Sequence, residues 1–328
     1  MRNTLNWGII APGRVAHRFA QDLSLTDGAR LYAVASRSQE RAKTFADMYG
    51  AAHAYGSYEE ILSCPDLDIV YIASPHSGHY EHTRMCLTKG IPVLCEKPLA
   101  MNLAQARDMV ATARSSGTFL MEAIWTRFIP LFEETLQLLQ EGILGEIMTV
   151  RADFGFRALS PATHRVFNKA LGGGSLLEAG VYPVFLALLL LGKPERIQAA
   201  AVLGETGVDE SCAVLLECPG GKLAILDSSA VTKTGTEAFI YGEKGTVHLY
   251  DRLQRPTQRS IHFYEKASEH RTLQQTGSGY CHEIMEVGDL LRAGKLESDK
   301  LPLDFSLLLM ETLDAIRKEA GIRYEDVD

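Results

Sequence analysis

Over its first 125 residues the chain alternates short apolar runs with stretches of helical spacing, a rhythm that leaves few folds open. Runs near 5–10, 30–35, 69–73, 91–95 and 118–122 have the length and apolar content of buried strands. Between them, sets such as Val15, Phe19 and Leu23, or Met109, Val110 and Ala113, recur at helical intervals. These stretches are long enough to carry the chain from one parallel strand to the next. The pattern predicts a doubly wound α/β domain, a parallel sheet with helices on both faces.

From about residue 145 the rhythm becomes period two, in 146–156, 210–218, 222–230, 236–241 and 245–250. Pro219-Gly220-Gly221 and Gly242-Glu243-Lys244-Gly245 punctuate it as hairpin turns. An apolar helix near 175–191 is expected to cover one face of this sheet, with late helices near 280–292 and 303–320. This half reads as an α+β domain with an open-faced, mostly antiparallel sheet. With roughly 100 to 200 residues per domain, the 328 residues divide into a domain at 1–125 and another at 126–328. No repeat, low-complexity tract or Gly/Ser linker interrupts them, which predicts two rigidly packed domains with a cleft between them.

Charge and cysteine content exclude several function classes. Lys and Arg number 33 against 41 Asp and Glu, a net charge of -8 with no basic block, which argues against a nucleic-acid partner. Six cysteines show no CxxC pair, so neither a zinc site nor a disulfide framework is predicted, and a reducing cytoplasm suits them. The start, Met1-Arg2-Asn3-Thr4-Leu5, lacks the apolar core of a secretory signal. Val181 to Leu191 is apolar but only half the roughly 20 residues a membrane span needs, so no membrane role is expected.

In an open parallel sheet, ligands bind beyond the carboxyl ends of the strands. The first predicted strand runs into Ala11-Pro12-Gly13-Arg14-Val15-Ala16, the dinucleotide fingerprint G-x-G-x-x-G/A with alanine in the first place. Gly13 would let the backbone approach a pyrophosphate whose charge sits on the following helix N-terminus. The second strand ends in Ser36-Arg37-Ser38, where an NAD site usually carries an acid. Arg37 offers a planar fork to a 2′-phosphate, which favours NADP(H) over NAD(H); the alternative is a solvated arginine opening the next helix. Further strand ends carry Ser74-Pro75-His76, Glu96-Lys97-Pro98, and Glu122 with Trp125.

These residues resemble a known group. WGIIAPGRVA, SRSQERAKTFA, CEKPLA at 95–100, MEAIWTRF at 121–128 and RVFNKALGGGSLLEAGVYP at 165–183 are similar to the Gfo/Idh/MocA oxidoreductase family. The last two are closest to its branch of dimeric dihydrodiol dehydrogenases and NADP-dependent D-xylose 1-dehydrogenases. The resemblance implies a Rossmann domain, an open-faced sheet used for dimerisation, and catalysis around the lysine of the Glu-Lys-Pro turn, here Lys97. It implies Tyr182 as catalytic acid/base, with Glu178 where the wider family often has Asp. It also puts His76 and His79 near the cofactor, and Phe154 and Arg165 at pocket positions.

The chemistry follows independently. Hydride leaves a hydroxyl-bearing carbon only as the O–H proton departs, so a base must lie within about 3 Å of that oxygen. Tyrosine ordinarily titrates near 10. An ammonium about 4 Å away, at an effective dielectric near 20, favours the phenolate by up to about 4 kcal/mol. Lys97 beside Tyr182 would make a usable base. Each residue also has a plainer reading, Lys97 as a surface lysine and Tyr182 as a core tyrosine. Trp125 with Arg127 fits a wall for a sugar ring or aromatic diol, and equally core packing. His76, His79 and His82 form H-x-x-H-x-x-H, but a six-residue advance does not return to one helix face and no carboxylate or cysteine completes the set, so no metal is predicted.

The sequence thus predicts a cytoplasmic NADP(H)-dependent oxidoreductase acting on the CH–OH group of a small sugar, polyol or cyclic diol, and a homodimer. Two alternatives stand beside it: a non-catalytic NADP-sensing regulator on the same fold, and a sugar-coupling oxidoreductase that holds NADP tightly.

Overall fold

The computed structural model describes residues 4–158 and 164–325. The first stretch of chain builds β1 (Leu5–Ile10), α1 (Arg14–Ser24), β2 (Ala29–Ala35), α2 (Gln39–Tyr49), β3 (His53–Tyr55), β4 (Ile69–Ile72), α3 (His79–Thr88), β5 (Val93–Glu96), α4 (Leu103–Ser116) and β6 (Leu120–Ala123). All six strands pair in parallel in the order β3-β2-β1-β4-β5-β6. β1, β4, β5 and β6 are buried along their whole length, as strands covered on both faces must be. Strand order reverses at β1, so the turns after β1 and β4 flank the topological switch point.

Three details differ from the expectation. β3 was not foreseen, because a three-residue, half-buried edge strand leaves no apolar run. β5 and β6 start two residues later than predicted, which puts Glu96 inside its strand. α2 and α4 are stopped by Gly50 and Gly117 in the left-handed region and capped by Ser38 and Asn102, whereas no side chain caps α1.

The next stretch contains α5 (Pro130–Gln140), β7 (Ile147–Gly155), a π-helical turn (Leu176–Gly180) that continues as α6 (Val181–Leu191), then β8 (Arg196–Leu203), β9 (Asp209–Cys218), β10 (Lys222–Ser229), β11 (Ala238–Gly242), β12 (Gly245–Leu249), β13 (Gln258–Phe263) and β14 (Glu269–Thr272). They form an eight-stranded sheet, β14-β13-β12-β11-β7-β10-β9-β8, antiparallel except for the β7–β10 pair. β8, β13 and β14 were not foreseen: β8 and β14 lie at the edges and are largely exposed, and β13 buries the consecutive residues Arg259, Ser260 and Ile261 instead of alternating. α6 packs on β7 and β10. The helical stretch Lys169–Leu191 is long and apolar enough to cross a membrane, but 83% of its apolar window is buried by the protein itself. On the other face of the sheet, Leu223 (36% exposed) and Ile225 (42% exposed) stand open.

Two helices close the chain, α7 (Tyr280–Arg292) and α8 (Leu303–Ala320), where the sequence predicted them. The domain limits need a correction. The chain divides into one unit of Met1–Trp125 with Gln275–Leu307, and another of Thr126–Gln274 with Leu308–Asp328. The break near 125 matches, but 275–307 does not belong to the second unit. Its attachment to the first is polar and long-range: Arg114 pairs with Asp304 at 2.9 Å and Glu297 at 3.5 Å, and the Leu120 N–H donates to Leu296 O at 3.1 Å.

Candidate active site

The turn after β1 has a left-handed residue at Ala11, φ 66°, where the fingerprint carries glycine. An L-residue there costs about 1–2 kcal/mol. Two contacts hold it: the Ala11 N–H donates to Ala35 O at 3.0 Å, and the Gly13 N–H to Ala11 O at 2.7 Å. Gly13 itself has φ -100°, open to any residue, and a Cβ there would meet only Ala11 O at 3.9 Å. Neither conformation nor internal packing requires this glycine. The requirement that remains is close approach from outside, which is what a pyrophosphate on the uncapped α1 N-terminus would need. Pro12 is buried beneath the turn, Val15 is half-buried, Arg14 faces solvent, and Ala16 is buried against the sheet. These residues fit a dinucleotide.

After β2, Ser36 is buried, with its N–H on Tyr55 O at 3.1 Å, and Ser38 caps α2. Between them Arg37 is exposed, and no carboxylate among the described residues pairs with it. After β4, Ser74 and His76 are buried and Pro75 is half-buried. His79 is fully buried, with Nδ1 2.8 Å from Pro98 O and Nε2 3.0 Å from Ser74 O. Burial first, then the neighbouring His76, pushes its pKa down to about 3. A neutral ring has one N–H and donates to one of these carbonyls at a time. Both ring nitrogens face backbone carbonyls, so His79 bridges the turns after β4 and β5. His82 Nδ1 turns to Ser74 Oγ at 3.0 Å, and no metal-holding cluster exists among the described residues.

Lys97 is buried at the end of β5, before a cis Lys97-Pro98 bond. The Glu96 carboxylate accepts from the Tyr71 hydroxyl and from the Lys97 N–H at 3.3 Å. Tyr71 stacks on Phe19 of α1 at 3.7 Å between centroids, which links the Lys97 turn to the fingerprint helix. Glu122, fully buried in β6, accepts from the Leu99 N–H at 2.8 Å; burial raises its pKa to about 7. Glu283 of α7 is also fully buried, and burial, then Glu96 and Asp22, raises its pKa well above the usual carboxylate range. Sequence reading missed Tyr71 and Glu283; the only signal was a polar group inside an otherwise apolar run.

In the second unit, Glu178 lies in the π-helical turn and Tyr182 at the start of α6. A π turn shifts register by one residue and recurs at functional positions. Arg165 Nη2 pairs with Glu178 Oε1 at 2.7 Å, and the Phe154 ring lies 5.6 Å from the buried Tyr182 ring. Four of the predicted substrate residues therefore meet in two contacting pairs. Arg127 pairs with Glu133. Trp125 is buried in the first unit and stacks on Tyr280 at 4.3 Å, so one indole face is taken by packing.

The chain matches the family described as "Oxidoreductase family, NAD-binding Rossmann fold" over residues 5–124, and the GFO/IDH/MocA C-terminal domain over 132–248. The trans-1,2-dihydrobenzene-1,2-diol dehydrogenase of Xenopus laevis is 37% identical over 327 residues, 97% of this chain and 98% of its own length. The aldose-aldose oxidoreductase from Caulobacter crescentus, solved with glycerol, matches with TM-score 0.88 at 26% identity, over 97% of this chain and 98% of its own. A 3-ketoreductase from Actinomadura kijaniata, in complex with NADP and TDP-benzene, gives TM-score 0.88 at 27% identity, again over 97% and 98%. Fold, nucleotide turn and full-length likeness agree, and the chain belongs to the Gfo/Idh/MocA oxidoreductase family.

Proposed function

We propose that the protein is an NADP(H)-dependent dehydrogenase that moves a hydride between nicotinamide and the CH–OH carbon of a sugar, polyol or cyclic diol. The observation that carries the reading is a nucleotide turn with an outward-open Gly13, in a chain alike over its full length to diol dehydrogenases. Arg37, exposed and without an acid partner among the described residues, supports the 2′-phosphate and hence NADP(H). Residues 11–15, 36–37 and 74–76, with Glu96 and Lys97, would hold the cofactor, which when bound supplies the hydride acceptor or donor. Tyr182 takes or returns the hydroxyl proton, and Lys97 favours its phenolate. Glu178, Arg165, Phe154, Trp125 and Arg127 orient the substrate. The A. kijaniata 3-ketoreductase has been solved with a tyrosine changed to phenylalanine and with a lysine changed to alanine or glutamate, the two residue types assigned here.

The cytosol is the compartment this reading assigns, consistent with six free, buried cysteines. The open face around Leu223 and Ile225, continued by Leu215, Phe239 and Tyr241 on neighbouring strands, supports a homodimer through this sheet. Sedimentation as a monomer at micromolar concentration would remove that assignment.

The experiment is absorbance at the reduced-nicotinamide band with NADP and a panel of aldoses, inositols and aromatic diols. Turnover of at least one member is expected; no turnover with NADP still bound favours the sensor. The likeness to an aldose-aldose oxidoreductase supports a second reading, sugar coupling. NADP retained through purification, with ping-pong kinetics between two sugars, would select it.

A further inference from the structure

Asp209 opens β9 and is fully buried in the second unit. Its Oδ2 accepts from the Leu176 N–H at 2.6 Å and from Ser175 Oγ at 2.8 Å, while Ser175 Oγ also lies 3.0 Å from Ser228 Oγ. Asp209 thereby caps, from a strand 33 residues away, the turn that carries Glu178. No side chain within that turn caps it. The lead-in is shaped around the same carboxylate: Gly174 has φ 124°, and a Cβ there would overlap Asp209 Oδ1. The Gly174 N–H donates to Val166 O at 2.7 Å, which ties the start of the turn to the short 3-10 segment that presents Arg165. Val166, Phe167, Val208 and Ala230 form the apolar cluster beneath.

A buried carboxylate next to two donors is costly to place and specific once placed. Its geometric consequence is one start point for the helix, and so one presentation of Glu178 and Tyr182. We infer that Asp209 is a positioning residue, which sets the register of the helix that presents Glu178 and Tyr182 through its contacts to Ser175 and Leu176. The inference rests on the dehydrogenase reading for its kinetic consequence, and on geometry alone for its structural one.

The test compares full-length Asp209→Ala and Asp209→Asn with wild type; asparagine keeps one acceptor oxygen, alanine none. Asp209→Ala is expected to lower kcat about 10- to 100-fold on the substrate the wild type uses best, with KM changed less than about threefold. Asp209→Asn is expected to stay within about fivefold of wild type, because the shared acceptor survives. NADPH affinity, read by fluorescence titration, is expected to be unchanged in both. By hydrogen exchange, amides 175–182 open at least about tenfold more readily in Asp209→Ala, while those of β1 and α1 keep their protection. Where Asp209→Ala does not fold, Ser175→Ala serves instead, with an expected loss in kcat of about 3- to 10-fold. Wild-type kcat with wild-type exchange in the folded variant overturns the inference, as does an asparagine variant as impaired as the alanine one. If the wild type turns over nothing, the dehydrogenase reading fails by itself, and the exchange measurement still decides whether Asp209 holds the helix.

Discussion

Asp22, inside α1, accepts a hydrogen bond from the backbone N–H of Tyr280 at 2.7 Å, although 258 residues separate them. The same carboxylate accepts from the Ser278 N–H at 2.8 Å and the Cys281 N–H at 3.4 Å. It is the N-terminal cap that α7 lacks in its own sequence. A Cβ on Gly277, φ 58°, would overlap it. The cap seats the Tyr280 ring against Trp125 at 4.3 Å and edge-on to Phe19 at 5.9 Å. Removing the carboxylate takes this acceptor from the buried N–H groups of Tyr280 and Cys281 and the half-buried N–H of Ser278. Asp22→Ala is therefore expected to cost about 2–4 kcal/mol of stability, read as a lower urea midpoint. A midpoint within error of wild type would show that the cap carries no stability.

Lys97→Met and Tyr182→Phe are each expected to lower turnover by about 10² to 10⁴-fold while NADP(H) still binds. Steady-state rates paired with nucleotide titration separate the two quantities. Near-normal turnover in either variant removes that residue from the mechanism.

For Arg37, a charge-assisted bond to a 2′-phosphate contributes about 1.5–3 kcal/mol, so Arg37→Ala should weaken NADP(H) binding about 10- to 150-fold and leave NAD(H) nearly unaffected. Dissociation constants for both nucleotides in both proteins provide the check; equal affinities in the wild type would reject NADP specificity.

Glu122 makes a pH prediction. Burial raises its pKa from the usual 4.5 to about 7. The folded chain then holds this proton more tightly than the unfolded one, so its stabilising effect is complete below pH 4.5 and is lost as the pH rises through 7. The loss amounts to about 3 kcal/mol. Glu122→Gln removes the titration, since the amide oxygen can still accept from Leu99. Unfolding measured at pH 5 and pH 8 should show the Gln variant gaining about 3 kcal/mol on wild type at the higher pH. Parallel pH dependence in the two proteins would mean that Glu122 ionises freely.

The parallel sheet was legible because strands buried on both faces are mostly apolar, and β1, β4, β5 and β6 are buried throughout, with Asn6, Glu96 and Glu122 as their charged or amide exceptions. The Lys97 turn, the Gly13 turn and the Arg37 position were legible because a strand's carboxyl end can be located from its apolar run. Period-two alternation exposed β9 and β10 for the same reason, and failed for β8 and β14, whose edges face solvent. Tertiary structure alone decided which unit 275–307 joins, that the His79 ring sits between two backbone carbonyls, and that Trp125 stacks on Tyr280. It also decided that Asp22 and Asp209 cap helices far away in the chain. Local propensity and periodicity act over a few residues, whereas the partner of a buried charge is chosen by whichever backbone the completed fold brings to it.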